Sequence, residues 1–191
     1  MRRRSDPEAQ RTKRAAADPE RVLEAAARSL GGAPKTSKAL TERLLTLGYP
    51  EEHVRAAIER LEQIGLLDDE RLARSLLESR DRSRQRGDRA LLQELRRRGV
   101  GDELAGSLLA ERAAEGASEG ADGVELRAAR AAAARIRLRG GEPRAEGQRI
   151  AQALARRGFP PGMAWQVARE RLAEGLQEAA GGAFDPEGDE G

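Results

Sequence analysis

Apolar residues recur along this chain at helical spacing and stop at glycines. Val22, Leu23, Ala26, Ala27 and Leu30 form one stripe, opened by Asp18-Pro19 and closed by Gly31-Gly32. Asp is a good N-cap and Pro is tolerated in the first turn, so a helix begins there. Thr36 or Ser37 can cap a second helix carrying Leu40, Leu44 and Leu47, which Gly48 ends. Glu51-Glu52 open a third, striped by Val54, Ile58 and Leu61. The pattern then repeats. Helices are predicted near 69–83 (Leu72, Ala73, Leu76, Leu77), 88–98 (Leu91, Leu95) and 102–113 (Leu104, Leu108, Leu109). Further helices are predicted near 124–139, 145–157 (Ile150, Leu154) and 161–174 (Met163, Val167, Leu172), with a GGEPR loop at 140–144.

Aligning Gly48, Gly99 and Gly158 exposes an internal repeat. Eight residues before each glycine stand Leu40, Leu91 and Ile150, four before stand Leu44, Leu95 and Leu154, and one after stand Tyr49, Val100 and Phe159. The stripe docks a helix, the glycine reverses the chain, and the next apolar residue staples the turn. The expected fold is all-α, an elongated tandem array of three three-helix repeats, in which each unit touches mainly its neighbours. The repeats are expected at 18–67, 68–114 and 124–174, separated by a Gly-rich acidic linker at 115–123. A disordered basic arm at 1–17 and a disordered acidic tail at 175–191 are expected to flank them.

Composition agrees with small helical units. Of 191 residues 36% are charged and only 2% aromatic, too few aromatics for a large core. The absence of cysteine excludes disulfides and thiolate metal sites. MRRRSDPEAQRTKR is not followed by an apolar segment, as a secretory signal would be, and no apolar run is long enough to cross a membrane. A cytoplasmic protein is expected.

Charge changes the picture through its distribution, because the net value is only +2. Residues 51–70 hold seven acids against Arg55 and Arg60, whereas 127–157 hold nine Arg against Glu142 and Glu146. A coding bias accounts for an abundance of Arg but less readily for its clustering. Arg80, Arg82, Arg84, Arg86 and Arg89 flank Gly87, Arg96, Arg97 and Arg98 end the next helix, and Arg156 and Arg157 hold the matching place in the third unit. One cation at a helix C-terminus complements the dipole, but a triplet exceeds that need. Guanidinium forks bind carboxylate and phosphate, so these ten residues are the candidate partner or nucleic-acid contacts.

No catalytic constellation accompanies them. His53 is the single histidine and sits beside an apolar stripe. Asp68-Asp69 suits a helix cap better than a metal, and the glycine pairs lack the Lys-Ser/Thr of a phosphate loop. No enzyme activity, metal or other cofactor is expected.

The run GLLDDERLA at 65–73, ESR at 78–80, Gly87 and RRRGV at 96–100 resemble the RecX family of regulators, and the similarity extends weakly over about 19–173. Leu72 stands where the family usually has an aromatic. The resemblance implies tandem three-helix repeats. It also implies a partner, the RecA recombinase filament on single-stranded DNA, whose growth, ATP hydrolysis, strand exchange and coprotease activity such proteins restrain. Direct contact with DNA phosphates is a further possibility, and a monomer is expected. The rival readings are a helix-turn-helix-like protein on duplex DNA and a scaffold with no nucleic-acid partner. Against the first, the helices after the glycines open with Glu51-Glu52, Asp102-Glu103 and Pro160-Pro161, a poor set for reading bases.

Overall fold

The structure is a computed structural model that describes residues 7–83, 85–118 and 123–181. Among the described residues ten helices run in order: α1 (Pro7–Ala15), α2 (Pro19–Leu30), α3 (Ser37–Thr46), α4 (Glu51–Gln63), α5 (Asp69–Ser83), α6 (Asp88–Arg97), α7 (Asp102–Ser118), α8 (Val124–Ala134), α9 (Pro143–Arg156) and α10 (Pro161–Gly181). The protein is an all-α helical array, with no strand among the described residues.

Local chemistry starts the helices where expected. The Asp18 carboxylate accepts from Arg21 N at 2.8 Å, Thr36 Oγ1 accepts from Ala39 N at 3.2 Å, and Asp68 accepts from Arg71 N at 2.8 Å. The three aligned glycines end helices by one device. Gly48, Gly99 and Gly158 have φ of 90, 88 and 92°, a region that only glycine enters cheaply. Past each glycine, the N–H of Tyr49, Val100 or Phe159 reaches back to the carbonyl of Leu44, Leu95 or Leu154 at 3.1–3.3 Å, closing a Schellman turn. Leu40, Leu91, Ile150, Leu44, Leu95 and Leu154 are all at most 1% exposed. Each such side chain contributes roughly 1.5–3 kcal/mol by leaving water.

The chain forms two compact bodies, Met1–Leu76 with Glu94–Ala105, and Leu77–Gln93 with Gly106–Gly191. In the first, α2 and α3 pack on α4 around Val22, Ala26, Leu40, Leu44, Val54, Ile58 and Leu61. In the second, α8, α9 and α10 enclose Ala129, Ala132, Ile150, Leu154, Phe159, Ala164 and Val167. Small alanines let the backbones approach where aromatics are lacking.

Three expectations need correction. The arm expected to be disordered over 1–17 contains α1. Pro7 stands in its first turn, Glu8 complements its dipole, and Arg14 Nη1 reaches the carbonyl of Leu47 at 3.5 Å. The expected linker at 115–123 is helical to Ser118, as α7 continues through Glu115 and Ala117 despite Gly116; residues 119–122 lie outside the described residues. The tail expected to be disordered from 175 is helical to Gly181, and 182–191 lie outside the described residues. Gly175 is a notch rather than a break: a side chain there would overlap Leu138. Conversely, α8 stops at Ala134 and α9 starts at Pro143, where Glu142 accepts from Ala145 N at 2.9 Å.

Candidate arginine interface

The two bodies divide the candidate arginines. Arg96, Arg97 and Arg98 belong to the first, and Arg80, Arg82, Arg86, Arg89, Arg156 and Arg157 to the second. Arg84 lies outside the described residues.

In the first body, the buried Leu95 directs the end of α6, and Arg96, Arg97 and Arg98 are all exposed. Arg96 Nε donates to Asp102 Oδ1 at 2.7 Å, and Arg98 Nε lies 4.0 Å from Glu94. The Arg96 pair is half in water on both sides, so it holds the guanidinium only weakly. The backbone beneath is better fixed: the Arg98 carbonyl accepts from Thr36 Oγ1 at 2.7 Å, and Thr36 is 1% exposed.

In the second body, Arg82, Arg89 and Arg156 are exposed, whereas Arg80, Arg86 and Arg157 are half-buried. Arg82 stands 3.7 Å from Glu78 one turn earlier, and Arg157 Nη1 faces the Ala132 carbonyl at 3.5 Å. A close backbone approach joins two of the clusters. Gly87 N donates to the Arg157 carbonyl at 3.0 Å, and a Cβ on Gly158 would lie 2.5 Å from Ala90 Cβ. The segment carrying Arg86 and Arg89 therefore meets the one carrying Arg156 and Arg157.

Sequence reasoning missed a buried arginine. Arg112 on α7 is 7% exposed. Its Nη2 and Nε donate to Asp81 at 2.7 and 3.1 Å, and its Nη1 donates to Asp88 at 2.5 Å. Glu125 closes the group by accepting from Asp88 N at 2.8 Å. Burial, then the neighbouring Glu125 charge, pushes the Asp88 carboxyl up to about 6, against the pull of Arg112. Arg112 itself is raised, because hydrogen bonding and attraction from the carboxylates outweigh its burial. A signal existed: Arg112 stands four residues after Leu108, on the apolar stripe of α7.

Glu146 on α9 is a second buried charge. It is 7% exposed, accepts from Arg149 Nε at 3.0 Å and from Arg139 N at 2.9 Å, and these bonds hold it at about 2. His53 Nδ1 lies 2.9 Å from the Ala17 carbonyl, a structural contact. Among the described residues no three His, Asp or Glu side chains are placed to hold a metal, and no helix is long and apolar enough to cross a membrane.

Comparison with known proteins supplies the context for these arginines. Residues 23–61 match the family description "RecX, first three-helix domain", and residues 68–109 match "RecX, second three-helix domain". The second match contains Arg80–Arg98. The chain is 35% identical over 147 residues to the regulatory protein RecX of Streptomyces coelicolor, covering 77% of this chain and 75% of that one. It is 34% identical over 152 residues to its counterpart in Thermobifida fusca, covering 78% of each. In fold it is similar to the crystal structure of RecX from Lactobacillus salivarius, with a TM-score of 0.69 at 19% identity, over 80% of this chain and 96% of that one.

Proposed function

The chain belongs to the RecX family of regulatory proteins, and on that premise we propose that it binds RecA recombinase filaments on single-stranded DNA and restrains them. Filament growth, ATP hydrolysis, strand exchange and coprotease activity are the outputs it lowers. It works by binding, as a monomer in the cytoplasm, without catalysis of its own.

The observation that carries this reading is the exposed Arg96-Arg97-Arg98 run at the end of α6, within the stretch matching the second three-helix domain. Each guanidinium presents a planar fork suited to carboxylate or phosphate. The Thr36 bond to the Arg98 carbonyl holds the backbone still while the side chains remain in water. Arg82, Arg89 and Arg156 give the second body exposed cations of its own. Two sets of weak contacts on one chain gain effective concentration on a partner that repeats. The duplex-DNA reading is weaker. The helices that follow the glycine turns open on exposed Glu51, Glu52, Asp102 and Glu103, which repel phosphate.

The test is single-stranded-DNA-dependent ATP hydrolysis by the cognate RecA with this protein titrated in. Substoichiometric inhibition, weakened by replacing Arg96, Arg97 and Arg98 with Ala at unchanged helicity, is the expected result. No effect at several-fold excess, together with tight duplex binding in the same buffer, would overturn the proposal in favour of the helix-turn-helix reading.

A further inference from the structure

The three glycine turns are also joints. In each, the carbonyl just before the glycine is left over by its helix and is met from outside. Arg98 O accepts from Thr36 Oγ1 at 2.7 Å, and Arg157 O accepts from Gly87 N at 3.0 Å. Leu47 O faces Arg14 Nη1 at 3.5 Å. The first two joints are alike. Thr36 and Gly87 are the residues just before α3 and α6, so the start of a middle helix receives the turn of the next unit. Thr36 and Gly87 stand twelve residues before their own turn glycines, Gly48 and Gly99; Ala39 and Ala90 stand nine before. Small residues are required at both places. A Cβ on Gly99 would lie 2.6 Å from Thr36 Oγ1 and 3.5 Å from Ala39 N, and one on Gly158 would lie 2.5 Å from Ala90 Cβ.

The series is closed at both ends by something different. The Gly48 turn meets no middle helix; α1 covers it, with Arg11 Cγ 3.1 Å from where a Gly48 Cβ would stand. On α9 the places corresponding to Thr36 and Ala39 are Glu146 and Arg149, counted back from Gly158. These two large side chains bond to each other at 3.0 Å, while Arg139 N and the Arg137 carbonyl bind them at 2.9 and 2.8 Å. The pair fills the face on which a glycine turn would seat.

We propose that α1 and the Glu146–Arg149 pair are two plugs that prevent head-to-tail joining with a second copy of this chain. The Gly48 turn of one copy and the α9 face of another are the two halves of the joint already made internally at Gly99 and Gly158. With both plugs in place neither half is presented. With both removed, the contact is heterologous and does not close, so it propagates.

The directionality makes the test sharp. One variant lacks residues 1–16, keeping Ala17, which is buried and whose carbonyl faces His53. The other is the full chain with Glu146→Gly and Arg149→Ala, copying Gly87 and Ala90. Sedimentation velocity reads the assembly state and far-ultraviolet circular dichroism the helicity. Each variant alone is expected to stay monomeric, an equimolar mixture to give a one-to-one dimer and stop there, and a chain with both changes to form longer, concentration-dependent species. Folded variants that remain monomeric when mixed at high micromolar concentration would overturn the proposal, as would self-association of either variant alone. If the truncation lowers helicity, Arg11→Glu with Arg14→Glu in the full chain loosens α1 instead, and a monomeric mixture with that variant overturns it equally.

Discussion

Arg112 and the Arg96–Arg98 run share a side chain and little else. Arg112 lies on the buried stripe of α7 and is enclosed by Asp81, Asp88 and Glu125. The other three lie past the buried stripe of α6 and point into water. In a protein whose 35 cations are nearly all arginine, the residue type says little. The register against the leucines decides whether a guanidinium organises the fold or is offered to a partner.

The strongest way to break that contrast is to remove the buried member. Arg112→Ala leaves Asp81 and Asp88 facing each other without their cation and is expected to cost about 3 kcal/mol, the low end for a broken buried pair because both carboxylates keep partial water contact. Urea unfolding measures it. Thr36→Val tests the exposed set from beneath. It removes both the helix cap of α3 and the donor to the Arg98 carbonyl, for about 2 kcal/mol in the same assay, with every arginine retained. Replacing Arg96, Arg97 and Arg98 by Ala should do the reverse. Stability changes by less than about 1 kcal/mol, since the Arg96–Asp102 pair is exposed and Arg98 stands a full 4.0 Å from Glu94, while inhibition of RecA ATP hydrolysis weakens about tenfold, or ~1.4 kcal/mol.

The smallest effect is a pH slope. The folded state holds the Asp88 proton up to about 6, above its ordinary value of 3.8. Its stabilising contribution is therefore full below about pH 4 and is lost as pH rises through about 6. Between pH 5 and 7 the wild type should lose about 2 °C in Tm through this group, and Asp88→Asn should flatten the slope. Glu146 has the opposite sign: its contribution is present above 4.5 and is lost as pH falls toward 2.

Much of the fold was readable because its signals are local. Asp18, Thr36 and Asp68 cap helices within three residues of themselves, and the stripes ending at Gly48, Gly99 and Gly158 need only their own turn of chain. What escaped depends on distant partners. The residues of α1 look like a solvated arm until the Gly48 turn is present to receive Arg11 and Arg14. Gly175 looks like the start of a tail until Leu138 is seen against it. Among the candidate arginines, the exposure of Arg96–Arg98 followed from the α6 stripe, but the half-burial of Arg157 depends on the Ala132 carbonyl, 25 residues away.

The two internal joints will also diverge differently as sequences drift. At the first, Gly99 is held by its φ of 88° but meets only a side-chain oxygen of Thr36, so the Thr36 side has an atom that can be trimmed. At the second, Gly87 and Gly158 approach through bare backbone: a Cβ on Gly87 would stand 2.5 Å from Phe159 N, and one on Gly158 2.6 Å from Ala90 N. Two glycines have no volume left to trade. No compensating substitution exists for the loss of either, so relatives should keep both or abandon that joint together, while at the first joint Gly99 stays and Thr36 alone has room to drift.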